Sequence, residues 1–480
     1  MARLGIGRTL LILALVLGTL VTPSAAKGPE TGVLARVEVA GSLAAVRLPV
    51  YAGLQDAAGS DYALVIAPAA QLRASGLRFA VLDTGALEPG ERYVIARTRR
   101  AGMGEQAAAL VRVLHDDGRQ LIARATAAQA EALSPLGYDY SWLPARPLSL
   151  RAVETPIATD SFVPDPIIAG MIADVTQSEV VDYGNTLSGE TAAIVGGTPY
   201  TITTRNTNSG TPIDKATQYV YERLQESGLT VSYQDWSFSS GWCDGEANRN
   251  VIGELAGTMT PSEVVLIVAH LDDMPSSGSA PGADDNASGS VGVLMAADIM
   301  SQYSFARTVR FVLFTGEEQG LCGSEAYATY VHNLGQNVVA VYNMDMIAYD
   351  STGGPTLRIH TRTTGNPGYA GDLAIAGVFT NVVSAYGLTS SLTPIISADG
   401  ESASDHSSFW GEGYAAILAI EDDYNDFNDY YHSSQDTMAH CNFAYYTAYV
   451  KASVGTAAHL AVLAYPNRVY VPLAALNLTP

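Results

Sequence analysis

Between residues 250 and 344 the chain repeats one alternation: a near-continuous apolar run, a polar loop, then a stretch with helical spacing. The runs at 250–255, 263–268, 309–314 and 338–344 do not alternate apolar with polar, so each predicts a strand buried on both faces. Residues 290–303 and 324–334 predict helices between them. Two more helices are predicted upstream, one within 176–187 capped by Thr176 or Ser178. The other covers 214–228, with Asp214 near its start and Gly228 past its end. Residues 230–236 add a strand. This order predicts an α/β domain with a mostly parallel mixed sheet and helices on both faces. Ligands in such sheets sit at the carboxyl ends of the strands.

Upstream the pattern changes. Residues 27–146 show short strand-like runs at 33–48, 61–66, 93–96 and 121–125, helical spacing at 104–115 and 127–136, and no cluster of His, Asp or Glu. They predict a small α+β leader domain. Pro147, Pro156, Pro164 and Pro166, set among Thr, Ser and Asp, mark 147–171 as an extended linker open to proteases. The main domain is then 172–467, followed by a tail at 468–480. At the other end, Arg3 and Arg8 precede an apolar stretch at 10–21 and the small residues Ser24-Ala25-Ala26. That predicts a secretory signal over 1–26, an exported protein, and no stable membrane association once the signal is gone. A leader placed between signal and main body suggests a propeptide or inhibitor that contacts that body, or an accessory domain that stays attached.

The formal charge of −22 is unevenly spread: 15 of the 26 Lys and Arg lie before Arg151, against 12 of the 48 acids. The main domain carries the acidity, which excludes a nucleic-acid partner because that needs a basic face. Three cysteines fit an exported protein with one bridge. Cys322 lies in the apolar context GLCGS and reads as buried, which leaves Cys243 and Cys441 as the expected pair.

The candidate chemistry follows the strands. His270 and Asp272 come directly after the apolar run ending at Ala269, with Asp284 and Asp285 in the next loop. Glu317 and Glu318 follow the run ending at Phe314, Asp345 follows Met344, and His432 lies far downstream. All would converge on one edge of the sheet, where several carboxylates a few ångströms apart cannot all ionise unless a cation relieves them. Oxygen and imidazole donors without thiolate suit zinc at a catalytic site, with cobalt or manganese as other fits. Gly282 and Gly289 read as backbone turns and not as a phosphate loop, because no Lys follows. No Gly-x-Ser-x-Gly or Cys–His signal competes. His115, His332, His360 and His440 read as ordinary polar residues.

Five segments, in order, carry a resemblance: His270-Leu-Asp272, the run from Pro281 to Gly289, the run from Gly316 to Ser324, Asn343-Met-Asp345-Met, and the run from His432 to Thr437. Together they resemble the M28 family of zinc aminopeptidases, in particular exported bacterial leucyl aminopeptidases, over about residues 176–465. The resemblance implies two Zn2+ ions per chain. His270, Asp285 and Asp345 would hold one, and Asp285, Glu318 and His432 the other, with Asp285 bridging. It also implies Glu317 as general base, Asp272 as hydrogen-bond partner of the His270 imidazole, and peptides with a free N-terminus as substrates. Asp436 could serve His432 in the way Asp272 serves His270. Ser404-Asp405-His406-Ser407 resembles a segment near the family's substrate cleft. The neighbouring residues 394–404 lack the cysteines that some members place there.

Other readings on the same fold stay open. A carboxypeptidase would need a positive clamp, for which Arg205, Arg249, Arg358 and Arg362 are the candidates. A single-zinc glutaminyl cyclase and a non-catalytic binding domain are the others.

Overall fold

The apolar runs become the middle of an eight-stranded sheet. In a computed structural model, residues 32–465 are described apart from 99–101, 145, 154–155, 158–161, 240 and 242. The expected signal and the tail lie outside the described residues. Across the sheet the strands run Thr230–Ser237, Ala247–Leu255, Arg307–Phe314, Thr260–His270, Asn337–Met344, Ala416–Glu421, Thr356–His360, Thr393–Ser397. The four central strands pair in parallel. The outer ladders are antiparallel except the last, between Thr356–His360 and Thr393–Ser397.

Continuous apolar sequence follows from burial on both faces. Along the strand Thr260–His270, Val265, Ile267 and Ala269 enter one core, and Val264, Leu266 and Val268 enter the other. Each larger side chain contributes about 1.5–3 kcal/mol by leaving water. The helices Thr211–Glu226, Gly289–Met300, Tyr369–Ala385 and Phe443–Ala461 cover the first face. Cys322–Asn333 and His406–Glu412 cover the second. Thr176 caps the helix Gln177–Leu187 by accepting from the Glu179 amide at 3.3 Å.

The leader is two four-stranded antiparallel sheets. The helical reading of 104–115 holds only to Leu110. From Arg112 to Asp116 the chain is a strand, because the turn at Gly118 (φ 87°) folds it back onto Gln120–Ala125. An apolar run such as 107–113 has no period of its own, so the pairing decides. In the second sheet Tyr138–Trp142 is an edge strand, and the main domain covers it. The helix Pro166–Asp174 begins inside the expected linker. Asp165 caps it by accepting from the Ile167 amide at 2.9 Å, and Ile168, Met171 and Ile172 join the core.

The disulfide is Cys243–Cys322, not Cys243–Cys441; Cys441 is unbridged. Cys322 is buried as expected, but as half of a bridge packed against Trp236. No described helix is long and apolar enough to cross a membrane.

Candidate metal centre

His270 ends its strand and Asp345 directly follows the next strand in the sheet, Asn337–Met344. Glu317 and Glu318 follow Arg307–Phe314 after the turn at Thr315-Gly316, Asp285 leads into the helix Gly289–Met300, and His432 lies in the loop after Ala416–Glu421. The parallel strand ends therefore bring the five expected ligands and Glu317 together. His270 Nε2 lies 3.2 Å from Asp345 Oδ1 and 3.4 Å from Asp285 Oδ1. His432 Nε2 lies 2.9 Å from Glu318 Oε2 and 3.3 Å from Asp285 Oδ2. Potential ligand atoms of His270, Glu317 and Asp345, and of His270, Asp285 and Glu318, fall within 4.8 Å of one another. Glu317 thus stands close enough to count among the donors, which its expected role outside the ligand set did not anticipate.

The backbone around these groups is strained. Of five described non-glycine residues with positive φ, three are here: Leu321 at 63°, Met346 at 50° and His432 at 54°. Each costs roughly 1–3 kcal/mol, so the surrounding packing must hold them. At Gly289 a Cβ would come within 2.4 Å of the Met344 carbonyl oxygen; this glycine serves close packing of the loop on the strand, and only Gly282 (φ 46°) serves a turn. Arg205, fully buried, donates to the carbonyls of Leu271, Leu187, Pro281 and Gly282 and pairs with Asp273 at 3.3 Å, pinning both halves of the 270–285 loop.

Two acids behave differently from expectation. His270 Nδ1 is 3.2 Å from the backbone carbonyl of Asp272, while the Asp272 carboxylate is 3.7 Å away. That carboxylate accepts from Thr207 Oγ1 at 2.9 Å and from the Glu317 and Glu318 amides at 3.3 Å each. Asp272 therefore holds the turn that presents the two glutamates, and its carbonyl orients the imidazole. Asp436 likewise accepts from the Asp284 and Asp285 amides at 3.1 and 3.0 Å and makes no bond to His432. In the 404–407 segment, Ser404 Oγ donates to Asp345 Oδ2 at 2.7 Å. His406 is buried, faces the Glu401 carbonyl at 2.7 Å, and is held down to about 3 by burial. Ser404 lies in the segment expected near the cleft, though not as a partner of Asp345; Thr207 had no local signal, because only the folded chain puts it beside Asp272.

The electrostatics ask for a cation. Burial and the neighbouring carboxylates Glu318, Asp405 and Asp345 push Glu317 well above the usual range, and burial with Asp285 nearby brings Glu318 to about 8. Burial disfavours protonation of the two imidazoles, yet the surrounding acids outweigh it: His432 rises to about 10, and His270 rises as well. Burial would raise Asp285, but His432 and His270 hold it low. Protons on the two histidines offset the same negative charge that divalent cations would offset, and the donors, two imidazoles with carboxylates and no thiolate, fit zinc.

The leader closes this site. Tyr140, Ser141 and Trp142 line the same cavity as the candidate metal ligands, leaving a volume of about 40 Å³, room for a few waters and not for a dipeptide. Ser134 Oγ lies 3.1 Å from His432 Nδ1, Tyr431 donates to Asp139 at 3.5 Å, and Ser141 and Ser402 hydroxyls lie 3.4 Å apart. Deeper in the interface Arg97 meets Glu401 at 2.5 Å and Asp399 at 3.3 Å. His360 joins this network, buried between Asp399 at 3.0 Å and Asp423 at 3.2 Å, whereas His440 stacks on Tyr430.

The profile described as peptidase family M28 matches residues 250–455. Leucine aminopeptidase 1 of Uncinocarpus reesii is 29% identical over 287 residues, covering 54% of this chain and 66% of that protein. Leucine aminopeptidase 1 of Trichophyton equinum is 30% identical over 209 residues, covering 42% and 55%. The chain thus spans between about half and two thirds of the length of these relatives. Among solved structures, the LapA aminopeptidase of Legionella pneumophila superposes with a TM-score of 0.57 at 18% identity, over 78% of this chain and 99% of that one. LapB of the same organism gives 0.56 at 16%, over 77% and 99%. These likenesses show the fold. The family profile lies over the strands and loops that build the cluster, so residues 250–455 match peptidase family M28.

Proposed function

We propose that the chain is an exported zinc aminopeptidase that removes the N-terminal residue from peptides with a free N-terminus, holding two zinc ions. The observation that carries this reading is Asp285, whose two carboxylate oxygens face different histidines, as a carboxylate shared by two ions would. His270 and Asp345 would complete one site, Glu318 and His432 the other. Bound zinc supplies the Lewis acidity that makes water a nucleophile near neutral pH and polarises a carbonyl. Glu317, partly open to the cavity, takes the proton of the attacking water and returns it to the leaving amine. Asp272 fixes the backbone that aims Glu317 and Glu318 in different directions, and Ser404 fixes Asp345.

The names of the relatives support an aminopeptidase, and the arginines weigh against a carboxypeptidase. Arg205 is spent on carbonyls, Arg249 on Thr217, Arg358 on Asp422 and Arg362 on Asp372. Export is supported by the signal pattern at 1–26 and by the Cys243–Cys322 bridge, which persists in oxidising compartments. The leader is a propeptide that keeps the site shut until the linker is cut. Free-amine, N-acetylated and N-terminal glutaminyl peptides, tested with and without chelator after linker cleavage, decide the activity. The reading requires turnover of free-amine peptides alone, abolished by chelator; equal turnover of acetylated peptides or cyclisation of the glutaminyl peptide refutes it.

A further inference from the structure

The contact between Arg97 and Glu401 is more than a docking contact. Arg97 comes from the leader, Glu401 from the loop after Thr393–Ser397, and each is 4% exposed. Glu401 Oε1 is satisfied by its own loop, accepting from the Ser402 and Ala403 amides at 2.8 and 3.1 Å. Oε2 points elsewhere, to the Arg97 guanidinium at 2.5 Å. Among the described residues, Arg97 is the sole cation within ion-pair distance of Glu401. The same guanidinium reaches Asp399 at 3.3 Å and the Tyr424 hydroxyl at 3.1 Å.

Glu401 also lines the cavity that holds His270, Asp285 and Glu317. The leader therefore meets the cleft in two ways: the strand Tyr138–Trp142 lines it, and Arg97 pairs with Glu401, one of the residues of its wall. Once the leader leaves, Glu401 Oε2 lines the opened cleft without its cation, a carboxylate oxygen that another cation can pair. A planar guanidinium or a compact ammonium on a flexible stem meets that need.

We propose that Glu401, with Asp399 beside it, forms a subsite for the basic side chain of the residue being removed, and that Arg97 of the leader occupies this subsite until the substrate does. The inference rests on the aminopeptidase reading and narrows it to N-terminal Arg and Lys.

Two measurements test it on the whole chain. In full-length Arg97→Ala the vacated space is probed by calorimetry with ethylguanidinium and its neutral analogue ethylurea. Ethylguanidinium should bind at least ~10-fold more tightly, as expected for a charge-assisted pair, and the additional Glu401→Gln should abolish the difference. In the chain folded, zinc-loaded and then cut in its linker, peptides beginning with Arg should be cleaved at least ~10-fold faster in kcat/KM than peptides beginning with citrulline, which has the same shape without the charge. This second comparison needs no substitution, so it stands even where a variant fails to fold. Equal binding of the two small probes, or equal cleavage of Arg and citrulline peptides by a chain that cleaves Leu peptides, overturns the subsite. A cut chain that cleaves no free-amine peptide refutes the aminopeptidase reading instead, and the ethylguanidinium comparison then decides the subsite alone.

Discussion

The imidazoles of His270 and His432 address opposite oxygens of one carboxylate, His270 Nε2 at 3.4 Å from Asp285 Oδ1 and His432 Nε2 at 3.3 Å from Asp285 Oδ2. The two histidines are 162 positions apart in sequence and meet only because one loop follows the strand Thr260–His270 and another follows Ala416–Glu421. The proposed chemistry depends on this shared oxygen pair.

Adjacent glutamates should fail in different ways. Glu317→Gln should retain zinc while kcat falls ~10²–10⁴-fold, the range for losing a general base. Glu318→Gln should lose zinc affinity by an order of magnitude or more. Elemental analysis alongside steady-state rates separates the two. Zinc loss from the Glu317 variant would instead place this residue in the ligand set, where its distance to His270 and Asp345 already allows it.

Zinc uptake should release protons. In the metal-free cluster, acids around His432 hold it at about 10 and burial lifts Glu318 to about 8, so at pH 7 both carry protons that ligation must displace. Apparent zinc affinity should therefore rise with pH and weaken in acid. Calorimetry in buffers of different ionisation enthalpy counts the protons; a heat that does not depend on the buffer contradicts this picture.

Release of the leader should activate the enzyme. A cavity of about 40 Å³ admits no peptide, so uncut protein can act only through a small open fraction. Cutting the linker and removing the leader should raise kcat/KM on a free-amine peptide the cut chain cleaves at least ~10-fold, and Tyr140→Ala in the uncut chain should raise it less. Equal activity before and after removal would make the leader an accessory domain.

His360 gives stability a defined pH dependence. It faces Asp399, Asp423 and Tyr424, with Arg97 and Arg358 on the far sides of those acids. Burial would lower its pKa, but Asp399 and Asp423 outweigh burial and bring it to about 10. A raised histidine stabilises fully below its unfolded value near ~6.5 and loses that stabilisation as pH rises through the folded value. Asp399 is depressed, because His360 and Arg97 outweigh its burial, so its share is present above ~4 and lost in acid. The melting temperature of the full chain should be highest between about pH 4 and 6.5 and fall toward pH 10. His360→Gln should flatten the alkaline limb; an unchanged slope would remove His360 as its cause.

Strand-and-loop logic made much of this site readable in advance. His270, Glu318 and Asp345 each follow an apolar run closely, and period alone placed those runs in a parallel sheet; Asp285 lies in the loop beyond, where the resemblance and not the period chose it. What escaped depends on contacts distant in sequence. His-x-Asp suggests a carboxylate on the imidazole, yet Asp272 turns to amides 45 and 46 residues away. The apolar context of Cys322 describes a buried bridge as well as a buried thiol, so it could not choose the partner 79 residues back. Arg97 and Asp399 are 302 positions apart, and nothing near either one announces the other.

The most direct test counts zinc in the folded wild-type chain and in Asp285→Asn after dialysis against excess metal and then metal-free buffer. Two ions per chain in the wild type and no more than one in the variant are predicted. A single ion in the wild type, or two in the variant, would contradict the shared carboxylate on which the proposed chemistry rests.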